Sequence, residues 1–422
     1  MKKILTLVLA VALMAGAISG CGEKAASDDD KSNQVTLQFW AFQVDKEKSF
    51  MEKCVEDFNA SHDDIQVEIT FLNQSDYTTT LIPTAFANGE APDVIFVEAA
   101  VMDKYASQGM LGDLTSYYSE ELKADIMPSA LEAVTYDGKI LALPFDMELV
   151  GLFYDKDVLD EAEIEVPKTW DELYEAAKKL TTDDRYGLVL PVEAAPYTLY
   201  NWWPFEWMNG GQVLSEDKMQ AVFDSRENAE ALDYWAKFFN DGLSPKTLKI
   251  GPWDIGNIGT GAAAMQVAGT YVVNAAEETY GDKNIQVAPL PTPEGEETAT
   301  CAGGQKLAVT SSSEHQEEAA EFIMWMFGSD DTSRLTEWCT QTKFAYPTRQ
   351  SVVDENEEVF SKGLREVFTN DIYPVAIPEP SYPAEVTQAV TDALQAVCFG
   401  NEAGSEAVKT ANEKIAEVLT NN

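Results

Sequence analysis

The sequence predicts an α/β fold in two domains. Its residues are 45% hydrophobic and 10% aromatic, which is enough to build packed cores and excludes global disorder. Removing a secretory signal of 20 residues from the 422-residue chain leaves 402, more than one compact core usually holds. Strand-like and helix-like spacing of apolar residues alternate along the chain, which indicates mainly parallel sheets flanked by helices.

The first α/β region begins at residue 35. Alternating apolar residues predict strands at 35–39 and 65–71, and a continuous apolar run predicts a third strand at 92–97. Helical spacing at 50–58 and 81–87 lies between these strands. Because the strands are expected to be parallel, a ligand would bind beyond their carboxyl ends.

A second α/β region follows, and its clearest element is a helix at 170–180. Thr169 is placed to cap this helix, and Glu172, three residues later, completes a capping-box pattern. The remaining predicted elements are helices at 227–239, 319–327 and 407–418 and a strand at 306–309.

The N-terminus has the proportions of a secretory signal. Lys2 and Lys3 precede an apolar run at residues 4–18, and small residues lead to Cys21. The run is too short to cross a bilayer comfortably, which takes about 20 apolar residues, although a membrane-anchoring helix is the alternative. Residues 18–21 resemble a bacterial lipobox, in which the signal is cut before a cysteine that is then acylated. Residues 21–33 are small, polar and charged, and we expect a flexible, lipid-anchored linker there.

Charge and cysteine usage exclude several classes of protein. The formal net charge of −43 would repel phosphate backbones, so we expect no nucleic-acid partner. Besides Cys21, the cysteines are too widely and irregularly spaced for a zinc cluster or a disulfide-dense fold. A bridge between Cys301 and Cys339 and buried free thiols are both open interpretations.

Five segments of the sequence, taken in order along the chain, carry a resemblance to one known protein family. PDVIF at 92–96 with YASQGMLGDL at 105–114 resembles one family stretch, and YDGKILALP at 136–144 with LFYDKD at 152–157 resembles another. PKTWDEL at 167–173 and GAAAM at 261–265 are also similar to family segments, and Gly303 and Gly304 head the late strand. Together and in this order, these segments resemble those of extracellular solute-binding proteins of the maltose-binding class. The resemblance runs from about residue 35 to 350.

The resemblance implies a periplasmic-binding-protein-like fold of two lobes, each a mainly parallel sheet flanked by helices, with a hinge that the chain crosses more than once. Ligand would shift the population toward a closed form that contacts it from both lobes. The implied division is a signal at 1–20, the linker at 21–33, one lobe at 34–146 plus 301–346, and the other at 147–300 plus 347–422.

The family resemblance also implies a function. We expect a monomeric lipoprotein on the extracellular face of the bacterial cytoplasmic membrane, which captures a small polar solute and delivers it to the permease of an ABC importer. The expected ligand is a sugar, and an oligosaccharide is favoured.

A sugar site needs flat aromatic rings for its C–H faces and polar groups for its hydroxyls. Residues 200–207 contain five aromatic residues, which form either a stacking platform or a locally buried cluster under a loop. Carried over from the family, Tyr200 and Trp203 match an aromatic cleft segment, Tyr271 stands where a Trp is frequent, and Glu148 matches a ligand-contacting carboxylate. The remaining predicted ligand-binding residues are Trp40, Asp45, Lys46, Glu98, Asp146, Trp202, Trp207, Trp253, Gly303, Gly304, Tyr346 and Tyr382.

We expect Trp203→Ala and Glu148→Ala to weaken sugar binding and to leave the unliganded fold intact. Two departures from the family leave the ligand open: Val97 replaces an expected Trp, and no late Trp and Arg motif is evident around Tyr382. Acidic groups beside aromatic rings would also suit a polyamine or another cation.

Catalysis has little support in the sequence. The chain has two histidines, His62 and His315, so a histidine triad or a zinc site lacks material. We predict no metal and no cofactor. A surface glycoside hydrolase is a minor alternative, because a pair of carboxylates can always be found among 72 acidic residues.

Overall fold

The computed structural model describes residues 34–42, 45–73 and 76–421. The predicted signal and linker, with Cys21, lie outside the described residues. The strands are β1 Val35–Phe42, β2 Ile65–Leu72, β3 Val94–Glu98, β4 Thr135–Tyr136, β5 Lys139–Ile140, β6 Leu143–Pro144, β7 Asp146–Met147, β8 Val150–Asp155, β9 Tyr186–Val189, β10 Ala263–Gly269, β11 Ile285–Ala288, β12 Thr300–Ala302, β13 Gln305–Val309, β14 Tyr346–Pro347 and β15 Ala376–Pro378.

The α-helices vary from one turn to five. They are α1 Asp45–Ser61, α2 Ile82–Asn88, α3 Met102–Ser107, α4 Glu120–Asp125, α5 Pro128–Glu132, α6 Lys156–Glu161, α7 Trp170–Leu180, α8 Pro196–Met208, α9 Arg226–Asn240, α10 Gly256–Gly259, α11 Val273–Glu278, α12 Gln316–Ile323, α13 Ser333–Glu337, α14 Gln350–Glu355, α15 Glu357–Phe360, α16 Gly363–Val367, α17 Ala384–Phe399 and α18 Gly404–Asn421. Short π-helical segments occur at Tyr77–Leu81, Met324–Gly328, Trp338–Thr342 and Phe368–Ile372, and 3-10 turns at Ala99–Val101, Thr115–Tyr117, Thr270–Val272 and Tyr373–Val375.

A five-stranded sheet in the order β2-β1-β3-β13-β6 forms the first lobe. Strand β1 is parallel to both β2 and β3, whereas β13 is antiparallel to β3 and β6. Alternation in β1 places Leu37, Phe39 and Ala41 in the core. Strand β3 is buried on both faces, as its continuous apolar run predicted.

A four-stranded sheet in the order β11-β8-β10-β9 forms the second lobe. Here β8 is antiparallel to both of its neighbours, and β10 is parallel to β9. Successive residues of β8 enter different cores, because side chains alternate across a strand. Leu152 and Tyr154 pack with the helices of the second lobe, whereas Phe153 packs in the core that continues from the first sheet.

The α/β class and the mainly parallel sheets are confirmed, with one antiparallel strand in each sheet as a refinement. The capping box of α7 is present, since Thr169 Oγ1 accepts from the Glu172 amide and Glu172 accepts from the Thr169 amide. Of the two interpretations of residues 200–207, the buried cluster is right about burial, but its loop is wrong. This segment belongs to α8, which is apolar around most of its circumference because it is buried in the second core.

Short strand pairs connect the lobes. The chain leaves the first sheet after Pro144 and enters the second at Val150, and it returns between Ala288 and Gln305. Along these connections β7 pairs with β14, and β12 pairs with β15. The Gly303 amide donates to the Glu148 carbonyl over 3.0 Å, so the two connections lie side by side.

Two further features of the described residues concern the cysteines and the helices. Cys54, Cys301, Cys339 and Cys398 are all buried free thiols, so the possible Cys301–Cys339 bridge is not formed. No helix in the ranges 34–42, 45–73 and 76–421 is both long and apolar enough to span a membrane.

Candidate ligand-binding site

A cavity of about 400 Å³ lies where the two lobes face each other beside the connecting strands. The first lobe contributes the segment that follows β3, the end of α5 and the strand residue Lys306. The second lobe contributes Lys218 and the segment that precedes α17. The lining residues that carry the argument below are Asp103, Glu132, Tyr136, Asp146, Lys218, Gly303, Lys306, Glu379, Ser381 and Tyr382.

Polar contacts between the lobes close one side of the cavity. Lys218 Nζ lies 2.6 Å from Asp103 Oδ2. Ser381 Oγ donates to the Ala100 carbonyl and accepts from the Asp103 amide, both at 3.0 Å. Because Ser381 leads into α17 of the second core and Asp103 belongs to α3 of the first, these bonds hold the lobes together.

Lys306 and Glu379 line the cavity from opposite lobes. Lys306 is 3% exposed, and its Nζ donates to the Gly304 carbonyl over 3.1 Å. Burial lowers the pKa of Lys306, although nearby carboxylates, Asp146 foremost, oppose this. Burial raises the pKa of Glu379 to about 8, and the opposing effect of Lys306 is smaller.

Asp146 is fixed at the hinge by three protein donors. Its carboxylate accepts from the Gln305 amide over 2.7 Å and from the Trp338 indole over 2.8 Å, and Lys343 Nζ lies 3.3 Å away. Gly304 makes this arrangement possible. It has φ +104°, and a Cβ there would come within 2.3 Å of the Asp146 carbonyl oxygen.

Lys343 neutralises a buried group of carboxylates next to the cavity. Its Nζ lies 2.7 Å from Glu148 and 3.9 Å from Glu47 as well as close to Asp146. Burial alone would lower the pKa of Lys343, but Asp146, Glu148 and Glu47 together raise it well above its usual value. Lys343 is therefore charged, and Glu148 is held at the edge of the site.

Three tyrosines extend this polar region into the second lobe. The hydroxyls of Tyr197 and Tyr271 are 2.6 Å apart, and Tyr197 also reaches the Pro252 carbonyl. The Tyr200 hydroxyl is buried with no hydrogen-bond partner among the described residues, and burial raises its pKa well above the usual value. Its ring packs against Gly303, where a Cβ would come within 2.9 Å.

A model of the bacterial extracellular solute-binding protein family matches residues 43–332, more than half of the chain. The chain belongs to this family. One relative of this solute-binding protein is the maltodextrin-binding protein MdxE of Bacillus subtilis, which is 24% identical with 98% of this chain and 96% of that protein covered. An uncharacterized lipoprotein in the oleD 5′ region of Streptomyces antibioticus is 28% identical, with 81% and 77% covered.

Solved structures show the same two-lobed fold. Maltose-bound MalE3 of T. maritima superposes with a TM-score of 0.79 at 25% identity, covering 91% of this solute-binding protein and 100% of that chain. A solute-binding protein of Thermotoga lettingae TMO bound with alpha-D-tagatose also has a TM-score of 0.79, at 24% identity, with 92% and 100% covered. The predicted family and fold class are thereby confirmed.

The structure brings part of the predicted site together. Asp146, Gly303 and Tyr382 line the cavity. Gly304 lies close against the backbone carbonyl of Asp146. Glu148 lies next to them through Lys343. Glu98, at the end of β3, accepts from Thr78 Oγ1 over 2.6 Å just before the lining residue Ala99.

Other predicted residues lie away from the cavity lining. Trp202 is fully buried against Phe223, and Trp203 is 2% exposed in the same core, with its edge toward Tyr382. Because Trp203 is a core residue, the expectation that Trp203→Ala leaves the fold intact is wrong: such truncations cost about 3–5 kcal/mol.

The last predicted residues occupy four different environments. Trp40 and Trp207 are partly buried against the first and second core, respectively. Trp253 is 59% exposed, and Tyr346 stacks on Tyr373 in the hinge with ring centroids 4.5 Å apart. The side chains of Asp45 and Lys46 lie outside the described residues.

Sequence reasoning missed Lys306, Glu379, Lys343 and Tyr197. A lysine inside the apolar strand QKLAV was a usable signal for Lys306, because an unpaired charge is rarely buried without a role. The sequence Pro-Glu-Pro around Glu379 gave no indication that this residue lines the site. Lys343 could not be recognised, since its partners Glu47 and Glu148 are distant in sequence.

Proposed function

We propose that this solute-binding protein captures a sugar, and more narrowly an oligosaccharide, in the cavity between its lobes and delivers it to the permease of an ABC importer. The observation that carries the proposal is the cavity itself, which both lobes line with polar side chains beside tyrosine rings. Its volume of about 400 Å³ lies within the range of about 300–1,000 Å³ that is usual for small-molecule sites.

Known relatives support a carbohydrate ligand. The relatives include a maltodextrin-binding protein and a maltotriose-binding protein of Pyrococcus abyssi, the latter 28% identical over 61% of this chain and 55% of that protein. Within the cavity, the rings of Tyr136 and Tyr382 are suited to sugar C–H groups, and Lys306 and Glu379 are neighbouring polar groups for hydroxyls.

The division into lobes, with its boundaries at residues 146, 300 and 346, belongs to the same proposal. We propose that the two lobes rotate about the paired connections β7–β14 and β12–β15. Ligand that contacts both lobes then stabilises the closed form relative to the open one.

The anchoring is proposed from the N-terminal sequence. Signal cleavage before Cys21 and acylation of its thiol would tether a monomeric binding protein to the extracellular face of the cytoplasmic membrane. The similarity to a protein named as a lipoprotein supports this. Metabolic labelling with a fatty-acid probe tests it, because Cys21→Ser should abolish labelling and release the protein from membranes.

A binding screen tests the ligand class. Purified mature protein in detergent is titrated calorimetrically with maltose, maltotriose, D-tagatose, cycloalternan and spermidine. We expect saturable binding of at least one sugar and stabilisation of the fold, about 2.7 kcal/mol at a hundredfold excess over the dissociation constant. Binding of spermidine without binding of any sugar would instead favour a cation-binding protein.

We infer that the protein performs no catalytic step, as is usual for a binding protein of this family. The same samples decide this point, because chromatography after prolonged incubation shows whether the oligosaccharide is intact. Reproducible cleavage products that are lost on mutation of a cavity carboxylate would establish a glycoside hydrolase instead.

A further inference from the structure

Seven charged residues line the cavity. Asp103, Asp146 and Lys218 are paired with protein groups, and Glu132 and Asp137 are exposed to solvent. Asp146 accepts from the Gln305 amide and the Trp338 indole and also contacts Lys343. Asp103 is paired with Lys218 across the lobes. These two carboxylates therefore help to form the walls of the cavity, but they have few acceptor sites left for a ligand.

Lys306 and Glu379 are different, because each retains free hydrogen-bonding capacity. Lys306 has three N–H donors, and the one bond described for it goes to the Gly304 carbonyl. The Glu379 carboxyl has no hydrogen bond or ion pair within the described part of the chain, although its backbone amide is bonded to Ala302. The two side chains do not form an ion pair with each other, yet both line one cavity.

We propose that Lys306 and Glu379 form a two-point recognition pair that selects an uncharged, hydroxyl-bearing ligand and disfavours cationic solutes. This inference rests on the proposed function and names the ligand class of the same site. It departs from the sequence-based expectation that acidic groups and aromatic rings together would suit a polyamine.

The chemistry of the pair explains the selection. A sugar hydroxyl is both donor and acceptor, so neighbouring hydroxyls can accept from Lys306 and donate to Glu379. A cation would be repelled by the Lys306 ammonium. Burial, which raises the pKa of Glu379 to about 8, keeps this carboxyl largely neutral at pH 7 and makes it a still poorer partner for a cation.

Two variants and a control test the pair. Lys306→Met removes the donor, and Glu379→Gln keeps the shape of the side chain while removing the acid. Glu358→Gln is the control, because Glu358 is exposed to solvent and does not line the cavity. Maltotriose and spermidine are titrated against each full-length mature protein, and circular dichroism confirms folding.

We expect wild-type protein to bind maltotriose more tightly than spermidine. Lys306→Met should weaken maltotriose binding about 10- to 100-fold, as expected for loss of one bond to a charged group. Glu379→Gln should weaken it less, about 3- to 10-fold, because the neutral carboxyl is replaced by an amide that retains one acceptor oxygen. The control should stay within twofold of wild type. In Lys306→Met the affinity for spermidine should stay the same or rise, because a repelling charge is gone; a merely structural role would lower both affinities.

Each contrary result has a distinct meaning. If wild-type protein binds maltotriose or another sugar of the screen and both variants match it, the pair is overturned while the sugar-binding function stands. Parallel loss of maltotriose and spermidine in Lys306→Met also overturns the pair. If wild-type protein binds no sugar, the proposed function fails and the pair fails with it. Should Lys306→Met not fold, the isosteric Glu379→Gln decides alone.

Discussion

Lys218 Nζ and Asp103 Oδ2, which belong to different lobes, lie 2.6 Å apart at the cavity. Both side chains keep contact with solvent, with 64% and 37% of their surfaces exposed. Such a pair is weak in water, about 0–1 kcal/mol. Because it joins the two lobes, it should favour the closed form in the lobe rotation that we propose.

The first prediction concerns this contact. Lys218→Met should weaken ligand binding by up to about fivefold, the equivalent of about 1 kcal/mol. The effect should shrink at high ionic strength, since salt screens exposed charges. Calorimetric titration at low and high salt measures both quantities. Lys414→Met is the control, because its 2.8 Å pair with Asp392 joins two helices of the second core.

A contrary result would be clear for this contact. Loss of affinity that is equal at low and high salt, or equal in Lys414→Met, would show that the ion pair between the lobes does not influence closure.

The second prediction concerns the buried lysine at the hinge. Lys343→Met should destabilise the fold by about 3–5 kcal/mol, because Asp146 and Glu148 would lose their shared cation. Urea unfolding measures the change. Lys53→Met removes a surface pair with Glu337 and should cost less than about 1 kcal/mol. Equal costs for the two variants would mean that solvent or a rearranged side chain replaces Lys343.

The local elements of the fold could be predicted from the sequence because their signals are local. Thr169 and Glu172 indicated where α7 begins. The alternation of apolar and polar residues around Leu37 and Phe39 predicted β1. The aromatic segment in α8 misled the prediction, since a helix that is buried around most of its circumference shows no one-sided periodicity. Long-range packing, which places this helix in the second core, is not encoded in the segment itself.

The site was harder to predict because pairing across the fold decides which groups are free. Asp146 and Glu148 were found from the sequence, but their neutralisation by Lys343 depends on segments almost 200 residues apart. Glu379 gave no signal, because its location depends on the pairing of β15 with β12. The sequence therefore reveals residue types that suit a sugar, whereas only the fold shows which of them retain free bonding capacity.

The third prediction concerns the thiols. Burial raises the pKa of Cys54 and of Cys398 to about 12, and it raises the pKa values of Cys301 and Cys339 well above the usual value. A buried, protonated thiol is a poor nucleophile. Native mature protein should therefore show no labelling of these four cysteines by a water-soluble maleimide, and full labelling in guanidinium chloride, as measured by mass spectrometry. Rapid native labelling of any of them would contradict the described packing.

The fourth prediction is that stability depends on the ionisation of Glu379. Its pKa is raised from an ordinary value of 4.5 to about 8 by burial, with Lys306 opposing the shift and Glu98 and Glu148 adding to it. The Tyr200 hydroxyl and the Cys301 thiol are the other titratable groups nearby. Between pH 4.5 and about pH 8 the Glu379 carboxyl is protonated in the folded state and ionised in the unfolded state. Its contribution to stability therefore falls as pH rises through this range.

Glu379→Gln removes this dependence, because the amide does not titrate. Relative to wild type, the variant should therefore gain stability progressively between pH 5 and pH 8, as urea unfolding at each pH will measure. Other buried acids titrate in both proteins and cancel in the difference. In the exposed control Glu358→Gln the difference from wild type should change much less over this range. If the difference between Glu379→Gln and wild type does not change with pH, the Glu379 carboxyl is already ionised in the folded state at pH 5. Its pKa is then not raised by folding.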